Sequence, residues 1–299
     1  MKTVIYSSPF VPAEWIAAHD VRPSRVMPRS CAKTSIASEG LCAYTRAFLN
    51  EPARTPEASG IIFTTDCDQM RRASELASGD AGHPVFLMNV PTTWQTPAAQ
   101  KMYMSEVRRL GKFLVRIGGR DPTDHELALV MLEYDIARSA LRSARGRLSP
   151  RRFSEAIAEF HRNGGFDVDA CETDLPARGI PIALVGGPLL EQQFELFDVI
   201  EEAGGNVVLD ATTTGERTLA GSFDRRSIQE DPFTTLATAY FGHIPDAFQR
   251  PNSRLYTWLK EEIAKRGVKG ILFKRFTWCD TWHAEVQRMK EWSNLPCGS

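Results

Sequence analysis

The feature that most constrains the fold is an alternation of short apolar runs with amphipathic helical stretches, present at both ends of the chain and replaced in the middle by helical patterns alone. Residues 60–65 read GIIFTT and residues 270–274 read GILFK. Runs of this length suit strands buried on both faces, and strands that alternate with helices pair in parallel. At the start, KTVIYSS predicts a strand. PAEWIAAHD predicts a helix opened by proline, with Glu14 in its first turn, where a carboxylate suits the macrodipole. GLCAYTRAFLNE carries Leu41, Tyr44, Phe48 and Leu49 at helical spacing, which puts Cys42 in a first helical turn. GIIFTT, a helix QMRRASELAS and a strand PVFLMNVP follow.

From Thr96 the chain predicts three long helices, and the Gly-Gly pairs at 118–119 and 164–165 close the first and third. The arginine-rich RSARGRLSPRR reads as a solvated connection and FDVDACETDLPARG as an irregular linker. A second alternation then runs through IPIALVGGPLL, EQQFELFDVIEEAGG, NVVLDAT, FTTLATAYFG, RLYTWLKEEIAKRG, VKGILFK and WHAEVQRMKEWS. The glycines at 186–187 raise a phosphate cradle, but the third glycine of a dinucleotide fingerprint is missing, and a tight turn is the expectation. The expected fold class is α/β, with two Rossmann- or flavodoxin-like lobes built on parallel sheets. The lobes are expected at 1–95 and 179–299, with a helical region and linker at 96–178.

A chain of 299 residues can form two compact units. With 36 basic and 37 acidic side chains and no basic stripe, it does not predict a nucleic-acid partner. No stretch is apolar for long enough to cross a bilayer, and MKTVIYSSPF is too weakly apolar for a signal peptide, so no membrane partner and a cytoplasmic location are expected. In that compartment the six cysteines (Cys31, Cys42, Cys67, Cys171, Cys279 and Cys297) are expected as thiols.

Position separates these thiols. Cys67 and Cys279 each follow a predicted strand and precede a helix, at the carboxyl end of a parallel sheet, where ligands collect. A helix N-terminus favours the thiolate, the species that binds metal, and Cys42 shares that setting. Three thiolates meeting in the cleft between the two units suit a [4Fe-4S] cluster, because three cysteines leave one iron open to substrate. A Cys3His zinc site using His283, or three unrelated packing cysteines, remain alternatives at this level. Ser7, Ser8 and Glu14, at the end of the first strand and the start of its helix, are placed to bond a substrate or to cap that helix. Asp66, Asp68 and Asp280 flank the cysteines and read as loop and helix-start residues.

These segments carry a resemblance. YSSPFVPAEWIAAHDVRPSRV resembles the opening of the 2-hydroxyacyl-CoA dehydratase and benzoyl-CoA reductase subunit family, where a strand leads to a Pro-x-Glu helix and then to a short arginine-bearing or apolar strand. LCAYTRAFL, GIIFTTDCDQMRR and GILFKRFTWCDTWHAEVQRMKEWSNLP are similar to its three cluster-binding segments, in order. EEAGGNVVLDATTTGER and DPFTTLATAYFG are similar to its second α/β unit. The resemblance implies a subunit like component D of 2-hydroxyglutaryl-CoA dehydratase, with a [4Fe-4S] cluster held by Cys42, Cys67 and Cys279 in the interlobe cleft. It also implies an acyl-CoA substrate, a related second subunit in a heterodimer (or a second copy of the chain), and an ATP-hydrolysing iron-sulfur activator that delivers one electron. The implied reaction is loss of water from a 2-hydroxyacyl-CoA through a ketyl radical anion, with Ser7, Ser8 and Glu14 as catalytic candidates.

Acyl-CoA reduction, a non-catalytic electron-transfer subunit and a zinc-binding protein are the competing functions. The chain departs from the family pattern at 143–178. It also stops at NLPCGS, near where relatives continue into a further strand. Cys31, Cys171 and Cys297 have no counterpart in the three segments, and a double cluster using all six cysteines stays open.

Overall fold

The computed structural model describes residues 1–30, 38–79, 82–165 and 178–299. Cys31, Cys171 and most of the expected linker lie outside the described residues. The chain opens with β1 (Lys2–Tyr6), α1 (Ala13–Ala18), β2 (Val21–Arg25), α2 (Ala43–Leu49), α3 (Glu51–Arg54), β3 (Ala58–Thr64), α4 (Asp68–Gly79) and β4 (Val85–Met88). Three long helices follow: α5 (Pro97–Arg116), α6 (Asp124–Ala144) and α7 (Pro150–Asn163). The remainder is β5 (Ile180–Gly186), α8 (Glu195–Glu202), β6 (Gly205–Thr212), α9 (Arg225–Glu230), α10 (Pro232–Ala237), α11 (Ser253–Lys265), β7 (Gly270–Lys274), α12 (Asp280–Trp292) and β8 (Cys297–Gly298).

The strands form two four-stranded sheets, parallel throughout, in the orders β2-β1-β3-β4 and β6-β5-β7-β8. The fold is α/β, and the two sheets share one order. In each, the chain steps outward from the first strand and then crosses back to its other side, which opens a crevice between β1 and β3 and another between β5 and β7.

Side-chain alternation explains why these strands are apolar at consecutive positions. Val4, Tyr6 and Ile62 face a core shared with α5 and α10, while Ile5, Ile61 and Phe63 face another shared with α2 and α4. The second sheet does the same, with Ala183, Val185, Ile271 and Phe273 packed with α11 and α12, and Leu184 packed with α8. Residues beside one sheet also enter the other's core. Leu190, just after β5, packs with the α2 and α4 side of the first sheet, and Met27, just after β2, packs against α8.

The three middle helices carry local stop and start signals. Thr123 and Glu126 form a reciprocal capping box on α6, and Gly164 ends α7 in the left-handed region at φ 75°. At the end of β5 the glycines make a tight turn. Gly186 has φ 145°, and a Cβ there would sit 1.9 Å from the Lys274 carbonyl oxygen on the neighbouring strand.

Several expectations change. RSARGRLSPRR is an anchor as well as a connection: Arg145 pairs with Glu216, and Arg142 donates to the Ala220 carbonyl. The helix expected from Glu191 begins as a 3-10 turn before α8, and the one in FTTLATAYFG continues past α10 as a π turn over Thr238–His243. Cys297 and Gly298 form a short strand, β8, paired parallel with β7. Among the described residues, no helix is long and apolar enough to cross a membrane.

Candidate functional site

The two crevices open on one cavity of about 90 Å³. Ser7 and Ser8 enter it from the end of β1, and Asp66 and Cys67 from the end of β3. Pro188 follows β5, Thr213 follows β6, and Phe276 and Cys279 follow β7, so the carboxyl ends of both sheets converge there. Cys42, Tyr44 and Thr45 complete it from the first turn of α2, and Trp282 from the first turn of α12.

The three thiols have a common local structure. Cys42 is the N-cap of α2, and its sulfur accepts the Thr45 N–H at 3.5 Å. Cys67 immediately precedes α4, where the backbone N–H groups of Met70 and Gln69 favour its thiolate. Cys279 is the N-cap residue of α12; its sulfur makes no capping hydrogen bond, and the nearby Trp282 backbone N–H favours its thiolate. Each sulfur therefore stands at a helix start near unpaired backbone donors, and that of Cys42 takes the place a serine or aspartate oxygen holds in a cap.

Burial opposes charge at these sulfurs. It pushes the Cys67 thiol up to about 12, with Asp66 and Cys42 adding to it, against the two backbone donors. Burial also raises Cys279. The same apolar surroundings press the Lys274 ammonium down to about 7, while Cys279 and Cys42 pull it upward. Lys274 donates to the Pro188 carbonyl at 2.5 Å and sits 3.2 Å above the Phe276 ring.

Two arginines border the cavity from beneath. Arg217 is fully buried, pairs with Asp246 at 2.6 Å and donates to Thr213 Oγ1 at 2.8 Å. Arg25, the last residue of β2, donates to the Ser7 carbonyl at 3.0 Å and the Thr213 carbonyl at 2.6 Å, joining the ends of the two sheets. Its remaining partners are Thr218 Oγ1 at 2.9 Å and His161 Nε2 at 3.2 Å, and among the described residues it forms no ion pair with a carboxylate. Burial holds the His161 imidazole well below its usual range, and Arg25 and Arg138 add to the effect, so Nε2 stays free to accept. The folded state then resists a proton that the unfolded chain takes up below about pH 6.5. Stability is expected to fall as pH drops through that value, by about 1.4 kcal/mol per unit from this residue. Thermal melts from pH 7.5 to 5 check this. A His161→Gln chain keeps an acceptor without titrating, and should lose less over the same interval.

The serine candidates are in the cavity, and Glu14 is not. The Ser8 hydroxyl donates to Asp66 in a short bond, Thr64 donates to the other Asp66 oxygen at 2.6 Å, and burial raises the Asp66 carboxyl. Ser7 lines the cavity with the buried Tyr44, close enough to its phenol to favour the phenolate. Glu14 is fully buried elsewhere, with one oxygen on Arg138 and the other accepting from Tyr240 Oη at 2.6 Å. Asp68 and Asp280 are exposed at their helix starts, and His283, the fourth donor of a Cys3His site, is exposed and does not line the cavity. Arg25, Lys274, Asp246 and Gln69 had no signal in the sequence, because each earns its place through partners far away in the chain.

The donor set fits an iron-sulfur cluster by its chemistry. It consists of three soft thiols from separate segments, each at a helix start, in apolar surroundings beside an Arg25 cation that has no carboxylate partner among the described residues. Among the described residues, no three His, Cys, Asp or Glu side chains are gathered as a site for a metal ion.

No curated protein matches the chain significantly. Residues 9–297, nearly its whole length, match the family described as 2-hydroxyglutaryl-CoA dehydratase, D-component. With two parallel sheets meeting over one cysteine-lined cavity, the chain belongs to the 2-hydroxyglutaryl-CoA dehydratase D-component family.

Proposed function

We propose that this chain is the iron-sulfur subunit of a 2-hydroxyacyl-CoA dehydratase-like enzyme, with Cys42, Cys67 and Cys279 holding a [4Fe-4S] cluster. The observation that carries this reading is that three thiols at helix starts, from both halves of the chain, face one cavity at the carboxyl ends of the two sheets. When bound, the cluster would supply one electron for ketyl formation at a thioester carbonyl and, at the iron without a cysteine, a position for a substrate oxygen.

The chain's own residues supply the setting. Phe276 and Trp282 exclude water from the thiols, while Arg25 and Lys274 offset negative charge in the cavity. Ser8 is oriented by its bond to Asp66, and Ser7 lines the same cavity beside Tyr44, so both hydroxyls stand where an acyl oxygen or a bound water can meet them. Burial raises the Asp66 carboxyl and favours its protonated form beside Ser8 in the cavity. Glu14 serves the packing of α1 against α6. The enzyme would work with a related second subunit or a second copy, and with an ATP-hydrolysing activator as electron source.

Anaerobic purification tests the assignment. A brown protein with about four irons per chain is expected, and dehydration of a 2-hydroxyacyl-CoA when partner and activator are added. A colourless chain holding one zinc would sink the reading. Reduction of an acyl-CoA in place of dehydration would keep the cluster and move the reaction to the reductases.

A further inference from the structure

One side chain touches all three cysteine segments. Gln69, in the first turn of α4, accepts the Cys42 backbone N–H on Oε1 in a short bond. Its Nε2 donates to the Trp278 carbonyl at 2.7 Å, one residue before Cys279. Its own backbone N–H faces the Cys67 sulfur. The amide orientation follows from chemistry, since an N–H must meet the oxygen and a carbonyl must meet the NH2.

Trp278 gives this strap a purpose. It has φ 66°, a left-handed conformation that is uncommon for a bulky aromatic residue, and its ring is 57% exposed. No burial of the indole holds it there. The Gln69 amide holds its carbonyl, and with it the turn that aims Cys279 into the cavity.

We propose that Gln69 is a positioning residue that sets the Cys42 and Cys279 segments relative to Cys67, so that three thiols on separate loops act as one ligand set. This rests on the cluster reading for its purpose, yet its geometry can be tested without a cluster. An acceptor alone serves Cys42 and a donor alone serves Trp278, so glutamine is required where glutamate would satisfy only half of the strap.

The experiment measures alkylation of each thiol by N-ethylmaleimide in the metal-free full-length chain, resolved by mass spectrometry. Cys297, on β8, serves as internal reference. Gln69→Glu keeps the acceptor for Cys42 and sets a carboxylate against the Trp278 carbonyl. Labelling of Cys279 is expected to rise about five- to ten-fold, the effect of one lost hydrogen bond, with Cys42 near its parent rate. Gln69→Ala is expected to raise both, with Cys297 unchanged. After anaerobic reconstitution, the alanine variant should give up iron to a chelator about ten-fold faster than the parent.

Parent-like rates at Cys42 and Cys279 in both variants overturn the proposal, as does a rise at Cys297 in step with them, which would mean general loosening. A parent chain that takes up no iron sinks the cluster reading, and the alkylation pattern then decides the role of Gln69 by itself.

Discussion

Replacing Cys67 by alanine is expected to leave the chain folded and to strip it of iron. The thiol is only partly buried, in the turn between β3 and α4, and its loss removes one small apolar group at a cost on the order of 1 kcal/mol. For a cluster held by three thiolates the effect is far larger, because two ligands leave a second iron without protein support. Iron should fall from about four per chain to near none and the brown absorbance should vanish, with circular dichroism unchanged. Cys297→Ala is the contrast. That thiol donates to the Leu295 carbonyl at 3.4 Å beside β8, away from the cavity, and its removal should leave the iron intact. Retained iron in Cys67→Ala would remove it from the ligand set, and iron lost in Cys297→Ala would point to the six-cysteine double cluster.

The second large effect concerns stability and separates Glu14 from the serines. Glu14→Gln keeps the side chain's shape and withdraws from Arg138 its closest countercharge among the described residues; Arg138 is 1% exposed and packs its guanidinium 4.8 Å from the Phe223 ring. Asp135, 4.0 Å from Arg138, is too distant to replace a direct bond. Breaking a buried pair from one side costs about 3–5 kcal/mol, so the melting temperature is expected to drop on the order of 10 °C. Iron content and turnover per folded molecule should stay at parent values. A variant that melts like the parent but has lost turnover would return Glu14 to the catalytic residues. Ser8→Ala should show the opposite pattern, with little change in melting.

Much of the fold was legible because it rests on local rules. Strands β1, β3, β5 and β7 are central in their sheets, and their apolar runs announce burial on both faces. The long helices announce themselves by periodicity and by their caps. The placement of Cys67 and Cys279 after strands and before helices was readable for the same reason, and it led to the cavity the structure contains. β2 was not readable from pattern, since VRPSR carries a proline and two arginines. Such a strand is tolerated at a sheet edge, where one side needs no hydrogen-bond partner, and only the family resemblance implied it.

The residues around the thiols follow a different logic. Glu14 looked like a helix-start acid near the first strand, and its partners lie 124 and 226 positions away, at Arg138 and Tyr240. Arg25 reaches Thr213 across 188 positions, and Gln69 reaches Trp278 across 209. By itself the sequence determined the α/β class, the order of the central strands and long helices, and which thiols stand at strand ends, because periodicity and turn chemistry act over a few residues. The tertiary structure alone decided that both sheets open on one cavity, that a glutamine reaches all three cysteine segments, and that a buried arginine stands there with no carboxylate partner among the described residues. Those contacts are made by chain segments that meet only when two sheets pack, and no local pattern encodes which distant side chain will be waiting.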